Sequence, residues 1–240
     1  MHGSYLLISR PFQPFGEQFS LRRYARFMKF VFPRVYPILD SSVIPSAGRA
    51  DFLGRLGESL SDAGVTLLEY RNKIGSTSEI LADAAVLRAA MPREKTKLIL
   101  DDRADLVEYA EFDGVHVDAG DLTPIQARRL VGSDRIVGTF GGSDSLLPGA
   151  LEAPVDYLAI GPVFETRTKH TDKKPIGING VRHLREQAGP GAILSAAAGI
   201  TLASASAVLD AGASILAVAE AIFRAPDPAT EFARWVKHLQ

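Results

Sequence analysis

From residue 35 onward the spacing of apolar residues alternates between two periods. Short runs rich in Val, Ile and Leu read as strands. Between them lie stretches whose apolar residues recur with the 3.6-residue period of a helix. Eight runs predict strands: VYPILD, VTLLEYR, KLILDD, GVHVD, RIVGTF, YLAIGPV, AILSAAA and ILAVAEA. The intervening stretches RADFLGRLGESLSDAG, STSEILADAAVLRAAM, ADLVEYAE, TPIQARRLVG, SDSLLPGAL, NGVRHLREQAG and LASASAVLDAG predict helices, and PATEFARWVKHLQ predicts a last one. Ser76 and Thr123 suit N-caps, with Pro124 at the first helical position. Gly64 and Gly212 close the two DAG segments and suit left-handed C-terminal stops. Pro148 and Gly149 interrupt the fifth helical stretch.

The strands mostly lack polar alternation. Continuous apolar strands are buried on both faces, which implies a parallel sheet covered by helices. Eight βα units in roughly 200 residues predict a (β/α)8 barrel, here residues 35–240. An open doubly wound sheet is the alternative, but no G-x-G-x-x-G follows the first strand. Residues 1–34 differ in kind. They carry Arg10, Arg22, Arg23, Arg26, Lys29 and Arg34 against Glu17 alone, with scattered Phe and Pro. They read as a basic extension, either poorly ordered or forming a short amphipathic helix in FSLRRYARFMKFVF.

Composition narrows the chemistry. A net charge of -1 gives no reason to expect a nucleic-acid partner. The absence of cysteine excludes disulfides, thiolate metal sites and a cysteine nucleophile, and fits a cytoplasmic location. No apolar run reaches the ~18–20 residues that span a bilayer. A homo-oligomer is compatible with all of this.

In such barrels the chemistry sits at the C-terminal ends of the strands. The second strand ends Glu69-Tyr70-Arg71-Asn72-Lys73, the third Asp101-Asp102-Arg103, the fourth His116-Val117-Asp118, with Asp121 just beyond. The sixth runs into GPVFETRTKHTDKKPIG, Gly161 to Gly177. One rim therefore gathers cations and carboxylates. Asp102 and Asp121 suit Mg²⁺, a hard cation that takes one or two carboxylates plus substrate phosphates. Arg71, Lys73 and Lys169 suit the remaining phosphate oxygens, which stabilises a departing diphosphate. A second locus follows strands seven and eight. There AAAGI, Ala196 to Ile200, is small enough to let a phosphate monoester approach the backbone, although Glu220 opposes an anion. His116 reads as a satisfied core residue, and His170 as solvated.

These residues, in this order, resemble the thiamine phosphate synthase family from about Val35 to Pro228. GPVFETRTKHTDKKPIG is similar to its G-P-V-F-x-T-x-T-K segment. EYRNK resembles Q-L-R-E-K, LDDRADL resembles N-D-R-x-D-L, and DGVHVDAGDL resembles D-G-V-H-L-G-Q-E-D-L. The resemblance implies condensation of hydroxymethylpyrimidine diphosphate with a thiazole phosphate, giving thiamine phosphate and pyrophosphate. It assigns Arg71, Lys73 and Lys169 to the diphosphate, Asp102 and Asp121 to Mg²⁺, and Thr166 and Thr168 to the thiazole phosphate. Ala198 and Gly199, with Ala219 and Glu220, fall on the rest of the phosphate loops. Phe140 falls on the pyrimidine side, and Glu69 and Asp101 fall near the diphosphate site.

Five positions depart from the family pattern. Glu69 replaces Gln, Asp101 replaces Asn, Phe140 replaces Ser and Glu220 replaces Ser. Ala198 also stands where the family has Gly. Two other readings remain: a related thiazole tautomerase, and a non-catalytic barrel that binds a thiamine precursor. The tautomerases use a His after strand five, and Gly142 holds that position here.

Overall fold

The computed structural model describes residues 30–118, 120–166 and 173–240. Phe30 and Val31 belong to a separate N-terminal unit, and the barrel lies within the unit Phe32–Gln240. The expectation for the basic extension falls almost entirely outside the described residues.

Eight parallel strands close a barrel in sequence order. They are β1 (Val35–Asp40), β2 (Leu67–Arg71), β3 (Lys97–Asp101), β4 (Gly114–Val117), β5 (Ile136–Gly142), β6 (Tyr157–Ile160), β7 (Leu194–Ala197) and β8 (Ile215–Val218). The (β/α)8 expectation is met. The helices are α1 (Arg49–Asp62), α2 (Thr77–Ala90), α3 (Pro124–Val131), α4 (Gly177–Ala188), α5 (Leu202–Asp210), α6 (Glu220–Phe223) and α7 (Pro228–His238). The main apolar core joins outward strand residues such as Val35, Leu39, Leu68 and Leu100 to Leu53, Leu60, Leu87 and Trp235 of the helices.

Local signals hold where they have a mechanism. Thr123 accepts the Gln126 N–H and Gln126 returns a bond to the Thr123 N–H, so α3 opens on a full capping box with Pro124 beside it. The Ser76 hydroxyl accepts the Glu79 N–H at the start of α2. After α1, Gly64 (φ +86°) donates to the Ser61 carbonyl, and Val65 donates to Leu60. That pair of bonds is a Schellman stop, and it requires the left-handed residue.

Two predicted helices do not form. ADLVEYAE makes a 3-10 turn at Ala104–Leu106 followed by further turns. Its apolar residues Leu106, Val107 and Ala110 are still buried, so the segment meets the core without a full helix. SDSLLPGAL makes no helix either. Gly142 bridges back to Leu146, Pro148 cannot extend a helical ladder, and Gly149 takes φ +74°.

Part of the barrel interior is filled by polar side chains. Tyr36 on β1 and Tyr157 on β6 place their hydroxyls 3.1 Å apart, although these strands are not neighbours. The contact therefore crosses the interior. β5 makes room with Gly138, where a Cβ would lie 2.0 Å from Tyr157 Cζ.

Candidate active site

The cationic and acidic strand ends converge at the C-terminal mouth, starting with β2. Arg71 forms an ion pair with Asp40 at the end of β1, and its Nε lies 3.4 Å from Asp101 Oδ2. The Lys73 ammonium lies 2.9 Å from Asp101 Oδ2 and also pairs with Asp102. Asp101 Oδ2 is thus within ion-pair distance of two cations, yet no donor is aligned well enough to count as a hydrogen bond. Burial pulls the Lys73 ammonium down, but Asp101 and Asp102 outweigh that and its pKa is raised. Burial also raises the Asp101 carboxyl, against the pull of Lys73.

Asp102 stands just past β3 at φ +63°, a left-handed conformation that disfavours non-glycine residues. Its N–H donates to the His116 carbonyl at 2.7 Å, which locks that turn. Its Oδ1 is buried and without a hydrogen-bond partner. Asp121 accepts the Asp118 N–H at 2.9 Å through Oδ2. Burial raises the Asp121 carboxyl, and the neighbouring Asp102 carboxylate raises it further. Two neighbouring carboxylates, Asp121 raised and Asp102 with an orphaned oxygen, fit an oxygen-ligated divalent cation. Among the described residues no group of three or more His, Cys, Asp or Glu is placed to hold a metal by itself. Further ligands would have to come from substrate and water, as Mg²⁺ prefers.

Glu69 and Phe140, two further positions expected at the substrate, sit on β2 and β5. Glu69 is 4% exposed and accepts the Tyr36 hydroxyl at 2.8 Å. Burial lifts its carboxyl from 4.5 to about 7; Asp101 adds to this, while His116, Tyr36 and Arg71 oppose it. Phe140 on β5 is half-buried, and the Lys173 ammonium stands 3.6 Å above its ring centroid. That is a close cation–π contact.

At the phosphate loops, Val163 N–H donates to the Ala197 carbonyl and Phe164 N–H to the Ala198 carbonyl. These bonds hold the segment that ends at Thr166 against the β7 loop. Gly199 at φ +69° permits the approach, since a Cβ there would lie 2.4 Å from the Glu165 oxygen. Ala198 takes φ +76°, which explains why a glycine suits that place in the family pattern. Ala219 precedes α6, and Glu220 opens it with its carboxylate 3.0 Å from Arg224 Nε. The anion opposed to a phosphate is thus engaged by its own helix. Thr168 and Lys169 lie outside the described residues.

Three participants escaped the sequence reading. Asp40 ends β1, and applying the strand-end rule to the first strand would have found it. Tyr157 joins the interior network, its hydroxyl 3.0 Å from Nδ1 of His116, the core histidine that the sequence already read as satisfied. Lys173 carried no expected role.

The chain as a whole is similar to known proteins. The pattern of the thiamine monophosphate synthase family covers residues 35–222. The chain belongs to the thiamine monophosphate synthase family. It is a transferase of thiamine biosynthesis. A thiamine-phosphate synthase of Koribacter versatilis is 41% identical over 201 residues, covering 83% of this chain and 94% of that one. That of Agrobacterium fabrum is 39% identical over 170 residues, covering 70% and 77%. The solved thiamine phosphate pyrophosphorylase of Pyrococcus furiosus superposes with a TM-score of 0.70 at 26% identity, covering 86% of this chain and 96% of that one. The tautomerase reading meets a steric bar. At Gly142 a Cβ would lie 2.0 Å from the Ser145 oxygen, so no histidine fits there. Among the described residues no helix is long and apolar enough to cross a membrane.

Proposed function

We propose that this chain joins hydroxymethylpyrimidine diphosphate to a thiazole phosphate, forming thiamine phosphate and releasing pyrophosphate. The bond from the pyrimidine methylene carbon to the diphosphate oxygen breaks with its electron pair on oxygen. The thiazole nitrogen then forms the new carbon–nitrogen bond. The observation that carries this reading is the rim cluster of Arg71, Lys73, Asp101, Asp102 and Asp121 in a family member.

Arg71 and Lys73 are held at the mouth by carboxylates, where the leaving diphosphate would meet them. Charge grows on that group as the bond breaks, so fixed cations favour the transition state over the ground state. Asp102 and Asp121 would hold Mg²⁺, which neutralises the same oxygens when bound. Lys169 adds a third cation from the β6 loop. Thr166 and Thr168, with the backbone of Ala198, Gly199, Ala219 and Glu220, receive the thiazole phosphate. Glu69, Asp101 and Phe140 enclose the pyrimidine. Both substrates are small molecules, and the barrel domain from residue 35 to 240 carries the whole reaction apart from the 1–34 extension.

The test is direct. Purified protein with both substrates and Mg²⁺ should yield thiamine phosphate and pyrophosphate, and chelation should stop it. Asp102→Ala and Lys169→Ala should each collapse the rate. Binding of either substrate without product would replace this reading with a precursor-binding barrel.

A further inference from the structure

Four buried side chains form one hydrogen-bonded chain through the barrel interior: Glu69 on β2, Tyr36 on β1, Tyr157 on β6 and His116 on β4. Each hydroxyl owns a single hydrogen, so the chain has a direction. The Tyr36 hydroxyl donates to Glu69 Oε2 at 2.8 Å. Its oxygen must then accept from Tyr157, 3.1 Å away. The Tyr157 oxygen accepts in turn from His116 Nδ1 at 3.0 Å, which assigns the hydrogen on His116 to Nδ1. Stacking holds the His116 and Tyr157 rings, with centroids 5.6 Å apart and planes 17° from parallel. Glu69 Oε2 is therefore a committed acceptor, and Oε1 is left for a group that enters from the mouth.

The same carboxyl lacks a counter-ion. Among the described residues no cation lies within ion-pair distance of it. Arg71 is committed to Asp40 and Asp101, and Lys73 to Asp101 and Asp102. A carboxyl buried without a cation is neutralised by a proton instead. We propose that Glu69 binds the heterocycle of the pyrimidine substrate as a neutral carboxylic acid, with its proton on the oxygen that Tyr36 does not hold. This rests on the proposed function above. An acid then presents the Oε1 O–H as a donor beside Oε2, a carbonyl oxygen whose second lone pair still accepts. That pair complements an aminopyrimidine edge, which offers a ring-nitrogen acceptor beside an exocyclic amine donor. The ionised form would offer two acceptors and meet the ring nitrogen lone pair with like charge.

The titratable groups that face Glu69 are Tyr36 from β1, Arg71 from its own strand, Asp101 from β3, His116 from β4 and Tyr157 from β6. Burial lifts the Glu69 carboxyl to about 7, with Asp101 adding to it and His116, Tyr36 and Arg71 opposing. The neutral form therefore predominates below pH 7 and is lost above it.

The experiment is calorimetric binding of hydroxymethylpyrimidine diphosphate alone, without the thiazole, to wild type and Glu69→Gln from pH 6 to 8.5. Glutamine keeps one donor and one acceptor and does not titrate. The ratio of the two dissociation constants cancels the titration of the ligand itself. It should move against wild type by about 30-fold across this range, as expected for a group titrating near 7. At pH 8, in buffers of different ionisation enthalpy, wild type should take up about one proton more than Glu69→Gln on binding. A pH-independent ratio, or equal proton uptake, overturns the proposal, as does a failure of wild type to bind at any pH. A ¹³C-carboxyl titration of the unliganded protein gives an answer without ligand: an inflection for Glu69 below pH 5.5 also overturns it. Failure to form thiamine phosphate from both substrates, with pH-dependent binding intact, would remove the proposed reaction and leave this inference standing.

Discussion

Glu69→Gln should change the stability of the protein in a way that depends on pH and on nothing at the protein surface. The unfolded chain titrates at the usual 4.5, and burial holds the folded carboxyl at about 7. Between those values the folded protein keeps a proton that the unfolded chain has lost. Stability contributed by this group is therefore complete below 4.5 and falls as pH rises toward 7. Each unit of difference is worth about 1.4 kcal/mol, so the loss across the window is about 3 kcal/mol. Glutamine removes the titration and still accepts the Tyr36 hydroxyl. The variant should gain on wild type by about 1.4 kcal/mol per pH unit from 4.5 to 7, then by nothing more. Urea unfolding of both proteins by far-UV circular dichroism from pH 4.5 to 8.5 measures this, since groups that do not interact with Glu69 cancel in the difference. A difference that stays flat within about 0.5 kcal/mol, or that slopes the other way, refutes the account of the buried carboxyl.

Gly138→Ala should drive the Tyr157 ring from its place, because the new Cβ would lie 2.0 Å from Cζ. The ring contacts to Tyr36, Phe32 and His116 go with it, for about 3 kcal/mol and a melting shift of about 6–12 °C by calorimetry. Arg71→Ala should lower kcat/KM for the pyrimidine diphosphate by about 100-fold or more while the circular dichroism spectrum is preserved. A double-mutant cycle on Lys173→Ala and Phe140→Leu, followed by urea unfolding, should return a coupling of about 0.5–1 kcal/mol. Ser76→Ala should cost about 1 kcal/mol through the lost cap of α2, with no effect on turnover.

The barrel was legible because continuous apolar strands admit few other solutions, and the caps because Thr123 and Gly64 each serve one defined backbone need. The rim was legible for the same reason: once the strands are known, their last residues are known. What escaped was direction within a strand. Tyr36 and Leu39 are equally apolar on paper and equally buried, yet one faces the barrel interior and the other the helices. A strand buried on both faces carries no alternation to separate them. The Glu69–Tyr36–Tyr157–His116 chain was hidden for that reason, since its members come from four strands distant in sequence. The helices expected after β3 and β5 failed for another. Apolar spacing records which residues are buried, and turns can bury Leu106 and Val107 as well as a helix can.

Glu69 and Arg71 are two residues apart on one strand and so share its inward side. Their Cα separation is set by the rise of an extended backbone, about 7 Å, and not by any side-chain rotamer. Strand β2 therefore acts as a ruler. In the proposed reaction one mark meets the ring and the next the anion, and the strand cannot stretch between them without breaking its ladders to β1 and β3. A substrate is measured before it reacts. A pyrimidine whose diphosphate hangs from one carbon more would satisfy either mark but not both.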